Sequence, residues 1–201
     1  MKRKFNKAKV LLDLLFILIQ TICIIELFTE NSFDYMRMAI GNLAFWLIYI
    51  LVEFKNKWKI PLYVRFVTII SILSNDVMGD LLHMYVSSVI FDRLQHVFGT
   101  YALSLWSFFV IQQLIEIKFT QKKFLIIFFL CLSVSLGTFY EILEFLLDEF
   151  THPAVKNQPS LLDTNLDLIA DLTGGILALV HYMCSTSFKS FTFPFKDKHR
   201  F

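Results

Sequence analysis

Residues 161–180, LLDTNLDLIADLTGGILALV, place three aspartates in an apolar segment that is long enough to cross a bilayer. Asp163, Asp167 and Asp171 are spaced by four residues, so a helix presents all three on one face. An ionised carboxylate near the centre of a bilayer costs roughly 2.5–3.5 kcal/mol on insertion scales. We therefore expect this face to point into protein or water. The Gly-Gly pair at 174–175 follows the acidic face and most simply allows neighbouring helices to pack closely.

The composition of the whole chain is that of a membrane protein. Of its 201 residues, 56% are hydrophobic and 18% are charged, and the mean hydropathy is +0.61. Several apolar runs approach about 20 residues, whereas the alternating pattern of β-barrel strands is absent from the sequence. The sequence predicts an all-α, polytopic membrane helix bundle, which we expect as a multi-pass protein of the cell (plasma or inner) membrane.

Lys and Arg indicate how this bundle is oriented. The apolar runs predict six transmembrane helices, over about residues 10–29, 35–54, 60–82, 95–117, 123–147 and 161–184. Cytoplasmic connections carry an excess of basic residues, and with six spans one side receives most of them. The other side has little beyond Arg37, Arg93 and Lys156. We therefore expect both termini to be cytoplasmic, on the side of Lys2, Arg3, Lys4, Lys7, Lys9, Lys55, Lys57, Lys59, Lys118, Lys122, Lys123, Lys189, Lys196, Lys198 and Arg200.

We expect a single integral membrane domain over residues 1–201. Within it, residues 1–59 contain two generic helices, residues 60–184 contain the helices that carry polar groups, and residues 185–201 form a basic, aromatic cytoplasmic tail. The tail alternates Phe with Lys and Arg, which suits contact with anionic lipid. An ordinary solvated tail anchored by a few aromatic rings would show the same pattern.

Polar side chains from four of the predicted helices reach the outer face of the membrane in this topology. Helices three and five end there, and helices four and six begin there. We expect the polar side chains of these ends to meet in one pocket, while the inner halves of the helices stay apolar. They are Asn75, Asp76, Asp80, His83, Asp92, His96, Glu141, Glu144, Asp163, Asp167 and Asp171.

So many carboxylates in one pocket would repel each other strongly in a medium of low dielectric. Arg93 and Lys156 do not balance them, whereas a divalent cation would. Carboxylate oxygens with imidazole nitrogens suit Mg²⁺, Mn²⁺, Zn²⁺ or Fe²⁺. Paired acids and histidines in a water-filled vestibule are the alternative. We predict Glu144 as the catalytic general base beside a metal site formed by Asp92, His96, Glu141, Asp163, Asp167 and Asp171.

Each of these residues also has a simpler explanation. Asp92 is favourable at the positive end of a helix dipole, beside an interfacial His96. Asp163 is suited to cap the last helix. Glu141 and Glu144 lie close enough to the end of helix five to be solvated there. These explanations stay open on the sequence.

Three blocks of the sequence resemble one known family. In order, they are FDRLQHVFGTYA (91–102), YEILEF (140–145) and NQPSLLDTNLDLIADLTGG (157–175). Together they resemble the YjdF-like family of bacterial inner-membrane proteins, whose biochemical role is unassigned. The resemblance covers roughly residues 80–180 and supplies no substrate. It implies that the family's polar pattern corresponds to Asp92, His96, Glu141, Glu144, Asp163, Asp167 and Asp171.

Three functions remain open. The first is a membrane-embedded metal site that acts on a lipid or envelope precursor from the extracytoplasmic side. The second is a cation- or proton-coupled carrier, against which the apolar inner halves count. The third is a non-enzymatic scaffold or regulator, in which the acids only assemble the bundle. In each case we expect membrane lipids as partners and no nucleic acid.

Overall fold

The computed structural model describes residues 7–88, 90–115, 117, 119, 121–153, 155–186 and 188. The predicted tail lies outside these residues except for residues 185, 186 and 188, and so do Lys2, Arg3, Lys4 and Lys118. In the described part, six helices are long and apolar enough to cross a membrane, as the sequence predicts. The elements are α1 (Lys7–Thr29), α2 (Phe33–Asn56), α3 (Leu62–Leu73) with a π-helical continuation (Ser74–Leu81), α4 (Met84–Ser87), α5 (Phe91–Leu114), α6 (Lys122–Thr151) and α7 (Leu161–Cys184).

The π-helical continuation of α3 is the main departure from the predicted elements. The sequence predicts an ordinary helix as far as residue 82, but Ser74–Leu81 is wound as a π-helix. Such turns are rare and are frequent at functional sites. Here the segment places Asn75, Asp76 and Asp80 in the interior of the protein. Helix α3 therefore ends in a buried polar turn.

Apolar side chains cover the outside of the bundle, where lipid would contact them. Leu14, Ile48 and Ile127 are 59%, 60% and 60% exposed, respectively. Polar residues of the same helices point inward, and Gln20 of α1 has no exposed surface at all. This arrangement follows from the bilayer, in which a polar side chain finds no partner except protein or trapped water.

The bundle consists of two halves that meet along α3 and α5. In one half, α1 packs against α2, α3 and the π-helical segment. In the other half, α5, α6 and α7 pack against each other, and α5 also packs against α3. We call the end of the bundle at which α5 and α7 begin the site end. Helices α2, α5 and α7 begin at the site end, and α1, α6 and the π-helical segment finish there.

Glycines bring α7 close to both of its neighbours. A Cβ on Gly174 would collide with the carbonyl oxygen of Val97 in α5. A Cβ on Gly175 would collide with the side chain of Ser133 in α6. The prediction that the Gly-Gly pair at 174–175 allows close helix packing is therefore confirmed.

An aromatic core underlies this packing between α5, α6 and α7. The ring centroid of Phe108 lies 5.0 Å from that of Phe129 and 4.7 Å from that of Tyr182. Phe108 and Phe129 have no exposed surface. Rings at these separations gain both from burial and from their mutual orientation. The core gives the polar groups at the site end a rigid base.

Candidate metal centre

His96 of α5 lies at the centre of the polar groups that α5, α6 and α7 bring together. Its side chain is only 4% exposed. The Nε2 atom lies 3.6 Å from Asp92 Oδ1, 3.9 Å from Glu144 Oε1 and 3.9 Å from Asp167 Oδ1. Each of these three carboxylates comes from a different helix. One imidazole nitrogen is thus surrounded by acids from all of α5, α6 and α7.

The Nδ1 atom of His96 faces a second pair of carboxylates. It lies 3.2 Å from Asp171 Oδ1 and 3.8 Å from Glu141 Oε1. Asp171 Oδ1 also accepts a hydrogen bond of 2.5 Å from Thr100 Oγ1. A Cβ on Gly137 would lie 2.6 Å from Asp171 Oδ2, so the glycine leaves room for this carboxylate. The two ring nitrogens therefore have separate acidic surroundings.

Helical spacing explains why these side chains converge. Residues three or four positions apart share a helix face, so two acidic or imidazole groups on one turn can reach the same point. The close contacts of α7 with α5 and α6 then bring three such faces together. The three pairs are Asp92 with His96, Glu141 with Glu144, and Asp167 with Asp171.

Arg93 forms the partly exposed rim of this region. Its guanidinium Nη1 lies 2.7 Å from Asp92 Oδ2 and 3.2 Å from Asp167 Oδ1. Its Nη2 forms an ion pair with Asp163 Oδ1. The arginine side chain is 28% exposed, in contrast to the buried His96. Asp163 is thus a partner of Arg93 at the rim, one helical turn outside the groups that surround the imidazole.

Two of the simpler explanations that the sequence left open for these acids do not describe the structure. The N-cap of α7 is Ser160, whose Oγ accepts a hydrogen bond of 3.2 Å from the backbone nitrogen of Asp163. Asp163 is therefore not the capping residue. His96 is buried rather than interfacial, and Glu141 is buried rather than solvated. Asp92 does lie in the first turn of α5, because that helix begins at Phe91.

The acids of this region outnumber its cations. Within the described part of the chain, six carboxylates here face one guanidinium and one imidazole. Among the residues that the structure describes, Glu141 Oε1, Asp167 Oδ1 and Asp171 Oδ2 are buried and accept no hydrogen bond, although Asp167 Oδ1 lies beside the Arg93 guanidinium. Buried acceptors without a donor are costly, and a cation would satisfy them. We call these eight residues the His96 cluster: Asp92, Arg93, His96, Glu141, Glu144, Asp163, Asp167 and Asp171.

Two sets of three ligand atoms in the His96 cluster have a spacing suited to a metal ion. One set comes from Asp92, His96 and Asp167, the other from His96, Glu141 and Asp171. In each set the atoms lie within 4.8 Å of one another. Tetrahedral ligands with bonds of about 2.1 Å lie about 3.4 Å apart, so a small contraction would close either set around an ion. These buried His, Asp and Glu groups could bind a metal.

The loop between α6 and α7 is attached to the same face of α6. Asp148 accepts hydrogen bonds from the backbone nitrogens of Asn157 and Gln158, both at 2.9 Å. Gln158 Nε2 in turn donates to Glu141 Oε2 at 2.7 Å. The side chain of Gln158 thus orients Glu141 within the His96 cluster. No sequence pattern indicated this role, because the glutamine lies in an irregular loop.

The polar residues of the π-helical segment form a group of their own. The Asp76 carboxylate accepts hydrogen bonds from Asn42 Nδ2 at 2.8 and 3.0 Å and from Asn75 Nδ2 at 2.8 Å. It also accepts one from Gln20 Nε2 of α1. His83 lies exposed at the surface. Asp76 is therefore satisfied by amides of α1, α2 and its own segment rather than by the groups around His96.

Tyr85 of the short helix α4 lies between this group and the His96 cluster. Its hydroxyl donates a hydrogen bond of 2.6 Å to Asn75 Oδ1. Burial raises the pKa of Tyr85 well above its usual value, and the nearby Asp80 and Glu144 raise it further. The phenol therefore stays protonated and able to donate. Asp80 itself is buried, and its Oδ2 accepts no hydrogen bond.

A further charged network lies at the opposite end of the bundle. Arg65 of α3 has no exposed surface and forms ion pairs with Asp13 of α1 and Glu53 of α2. Lys9 also pairs with Glu53, and Trp46 Nε1 donates to Asp13 Oδ1 at 3.2 Å. We call Lys9, Asp13, Glu53 and Arg65 the Arg65 network. The prediction that the inner halves stay apolar is wrong.

Some of the residues that the sequence analysis missed did carry a signal. Asp13 and Arg65 are isolated ionisable residues in apolar segments, and such residues require partners inside a membrane. Thr100 follows His96 by four residues and therefore shares its helix face. The pairing of Asp13 with Arg65 could not be read in this way, because it depends on how α1 and α3 pack.

Comparisons with known proteins place the chain in a family. A family described as "Predicted membrane protein (DUF2238)" matches residues 11–187. An uncharacterized protein of Thermotoga maritima is 28% identical over 140 residues, which are 68% of this chain and 71% of that relative. No solved structure matches the chain. The protein therefore belongs to the DUF2238 family of predicted membrane proteins.

Proposed function

We propose that this protein binds a divalent cation inside the membrane through Asp92, His96 and Asp167. The observation that carries the proposal is the environment of the buried His96 Nε2 atom, which lies 3.6–3.9 Å from carboxylates of three helices. The buried Asp167 Oδ1, which has the Arg93 guanidinium on one side, lies 3.9 Å from Nε2 and supports the same position for the ion. A cation there would offset the excess of acids that Arg93 alone does not neutralise.

The surroundings of Nδ1 favour Nε2 as the metal ligand. A histidine that ligates a metal usually donates its other ring N–H to a carboxylate, which fixes the tautomer. Asp171 Oδ1 lies 3.2 Å from His96 Nδ1, and Thr100 holds this carboxylate through a hydrogen bond. With a proton on Nδ1, the Nε2 lone pair is free for the ion. Glu141 completes the acidic surroundings on the Nδ1 side.

Three protein ligands leave coordination positions open, as in catalytic rather than structural metal sites. Glu144 faces the same side of the imidazole, 3.9 Å from Nε2, and is placed to act as a general base toward water on the ion. One imidazole with two carboxylates suits Mg²⁺, Mn²⁺, Zn²⁺ or Fe²⁺. The chemistry that this arrangement supports is metal-assisted attack of water on a substrate.

The proposed substrate is a lipid or envelope precursor that approaches from the extracytoplasmic side. The Lys-rich connections lie at the end of the bundle opposite to the His96 cluster, which favours a cytoplasmic location for that opposite end and for both termini. Within DUF2238 we also propose a grouping with the YjdF-like proteins, on the three sequence blocks at 91–102, 140–145 and 157–175. Each of these blocks contributes to the His96 cluster.

Elemental analysis of the full chain purified in detergent tests the metal site. After incubation with Mg²⁺, Mn²⁺, Zn²⁺ and Fe²⁺ in separate samples, we expect about one ion per chain for at least one metal. Asp167→Asn should lose this ion. Asp34→Asn, which changes an exposed carboxylate at the site end, should keep it. Wild-type protein that retains none of the four metals would overturn the proposal.

A cation- or proton-coupled carrier is the second candidate, and one observation favours it. Buried polar residues follow α3 and its π-helical continuation from one end to the other, whereas the sequence analysis expected apolar inner halves. Polar residues inside membrane helices commonly line ion or proton pathways. Successive members of this buried polar set are one to four residues apart in the sequence. They are Arg65, Thr68, Ser71, Asn75, Asp76 and Asp80.

Ion flux into proteoliposomes distinguishes the carrier from the metal site. A carrier should move protons or cations down an imposed gradient, and Asp76→Asn should abolish the flux while leaving metal content unchanged. Asp34→Asn serves again as the matched control. Wild-type proteoliposomes that are no more permeable than empty ones would exclude the carrier.

A further inference from the structure

A groove with a volume of about 340 Å³ opens at the site end between the two halves of the bundle. Tyr35 and Met38 of α2 line one side, and Leu147 and Thr151 of α6 line the other, with Val155 of the following loop beside them. Helix α2 packs against α1 and the π-helical segment, whereas α6 packs against α5 and α7. The groove is therefore a mostly apolar gap between helices of different halves, and its volume is in the range of small-molecule sites.

Helix α6 links the lining of the groove to the His96 cluster. On α6, Leu147 and Thr151 share a helix face with Glu144 and Tyr140, because steps of three or four residues separate them. Glu144 Oε1 lies 3.9 Å from His96 Nε2. The ring of Tyr140 packs edge-on against the imidazole, with centroids 5.5 Å apart. The groove lining and the residues beside the proposed metal position therefore lie one or two turns apart on the same face of α6.

The loop between α6 and α7 forms one wall of the groove and is hydrogen-bonded to α6. Asn157 lines the groove and donates from both its backbone nitrogen and its Nδ2 to Asp148 Oδ1, at 2.9 and 2.8 Å. The next residue, Gln158, donates to Glu141 of the His96 cluster. Two adjacent loop residues thus have different contacts: Asn157 lines the groove, and Gln158 binds the His96 cluster. A ligand in the groove would therefore lie close to the cluster.

The mouth of the groove carries cations. Arg37 lines it and pairs with Asp34, and the arginine side chain is 63% exposed. Lys156 is also exposed, between the two loop residues Val155 and Asn157 that line the groove. Exposed Arg and Lys at a membrane surface attract anionic head groups. The groove therefore has the Arg37–Asp34 ion pair and Lys156 at its mouth, mostly apolar walls and, on the proposed function, a metal ion beyond its inner end.

This arrangement of basic, apolar and metal-binding groups suits one class of molecule. A divalent ion held by carboxylates commonly binds the phosphate oxygens of a substrate in its open positions. Apolar walls of this kind suit a hydrocarbon chain. We propose that the groove between α2 and α6 admits a phosphate-bearing lipid from the membrane and presents its phosphate to the metal of the His96 cluster. The proposal rests on the proposed metal site.

Dodecyl phosphate binding to the Mn²⁺-loaded chain in dodecyl maltoside, a detergent without phosphate, tests this proposal. The wild type should bind dodecyl phosphate, and removal of the ion with a chelator should release it. Leu147→Trp fills the groove and should weaken binding about tenfold or more without changing the Mn²⁺ content. Leu146→Trp is the matched control, because Leu146 lies on α6 beside Leu147 and is exposed outside the groove lining. Met38→Trp fills the groove from the opposite wall and should act like Leu147→Trp.

The outcomes separate the groove from the metal site. If the wild type holds none of Mg²⁺, Mn²⁺, Zn²⁺ and Fe²⁺, the proposed function fails before any dodecyl phosphate is added, and if it holds another of the four in place of Mn²⁺, that ion replaces Mn²⁺ in the test. If Mn²⁺ is bound and both groove-filling variants bind dodecyl phosphate like the wild type, the lipid proposal is overturned. Inorganic phosphate that binds as tightly as dodecyl phosphate would identify a soluble ligand instead. A wild-type dimer that Leu147→Trp dissociates would identify a second copy of the chain as the occupant, which also overturns the proposal.

Discussion

The Arg65 network and the His96 cluster are both buried in the bundle, yet their charges are balanced differently. In the Arg65 network, Lys9 and Arg65 face Asp13 and Glu53, so two cations meet two carboxylates. In the His96 cluster, six carboxylates meet one guanidinium and one imidazole. A balanced set can be satisfied by the chain alone. An unbalanced set requires protonation or a cation from outside, and the proposed function supplies the cation.

The two regions also differ in what surrounds their central side chain. The Arg65 guanidinium lies 5.4 Å from the ring centroid of Trp46 and 5.2 Å from that of Tyr49, so aromatic faces pack against it. The imidazole of His96 is surrounded mainly by carboxylates. Both regions have a partly exposed edge, where Lys9 is 22% exposed and Asp92 and Arg93 are 24% and 28% exposed. Four predictions test this comparison.

The largest effect is expected for Arg65→Met in the Arg65 network. The free energy of unfolding should fall by about 3–5 kcal/mol, because Asp13 and Glu53 lose their shared cation while remaining buried. Thermal unfolding in detergent measures this. Arg37→Met, which breaks the exposed pair with Asp34, should change stability by less than about 1 kcal/mol. If both substitutions lower the free energy of unfolding by the same amount, the buried Arg65 network stabilises the protein no more than the exposed Arg37–Asp34 pair does.

Neutralising one acid should have opposite effects in the two regions of the metal-free protein. Glu53→Gln should lower the free energy of unfolding by about 3 kcal/mol, because Arg65 and Lys9 lose a carboxylate that they share. Asp167→Asn should raise it by about 1 kcal/mol, because fewer like charges remain around His96. Unfolding after treatment with a chelator measures both. A destabilised Asp167→Asn protein would mean that the His96 cluster is held together by its charges.

Gly174→Ala tests the helix contact that assembles the His96 cluster. An added Cβ would collide with the carbonyl oxygen of Val97, so α5 and α7 must separate, and stability should fall by about 2 kcal/mol. Metal binding should weaken as well, because His96 and Asp171 lie on these two helices. Gly41→Ala is the control, since its Cβ would meet nothing within 4 Å, and it should stabilise α2 by about 0.5–1 kcal/mol. Thermal unfolding and metal titration of both variants check the pair.

The smallest effect is expected for Thr100→Val. This variant removes the hydroxyl that donates to Asp171 Oδ1, and metal affinity should fall about tenfold. Ser104→Ala, one turn further along α5, removes a hydrogen bond to Ser133 that does not involve the His96 cluster. Metal titration should show no change for Ser104→Ala. A Thr100→Val protein with wild-type affinity would show that the Thr100 hydrogen bond is not needed to hold Asp171 beside the imidazole.

Much of the fold could be predicted because it depends on local patterns. Apolar runs of spanning length located the six helices, and the structure differs mainly at their ends, as where α5 begins at Phe91. The spacing of Asp167 and Asp171 placed both on one face of α7 before any contact was known. The Gly-Gly pair at 174–175 likewise indicated a close helix contact.

Other features depend on which helices meet, and a one-dimensional pattern does not contain that information. Asp76 was expected beside His96, but it binds amides of α1 and α2 because the π-helical segment packs against those helices. Gln158 orients Glu141 from a loop whose path follows from its hydrogen bonds to Asp148. In both cases the partner is distant in sequence, so neither spacing nor composition points to it.

The sequence by itself determined that this chain is a helical membrane protein and that acids share faces on its last three long helices. The bilayer forces these results, since apolar length sets the spans and an ionisable group must turn inward. Only the tertiary structure decided which acids surround His96 and which are neutralised by the chain itself. Which acids meet which partners depends on contacts of a few ångströms between helices. These contacts follow from packing at positions such as Gly174 and Gly175.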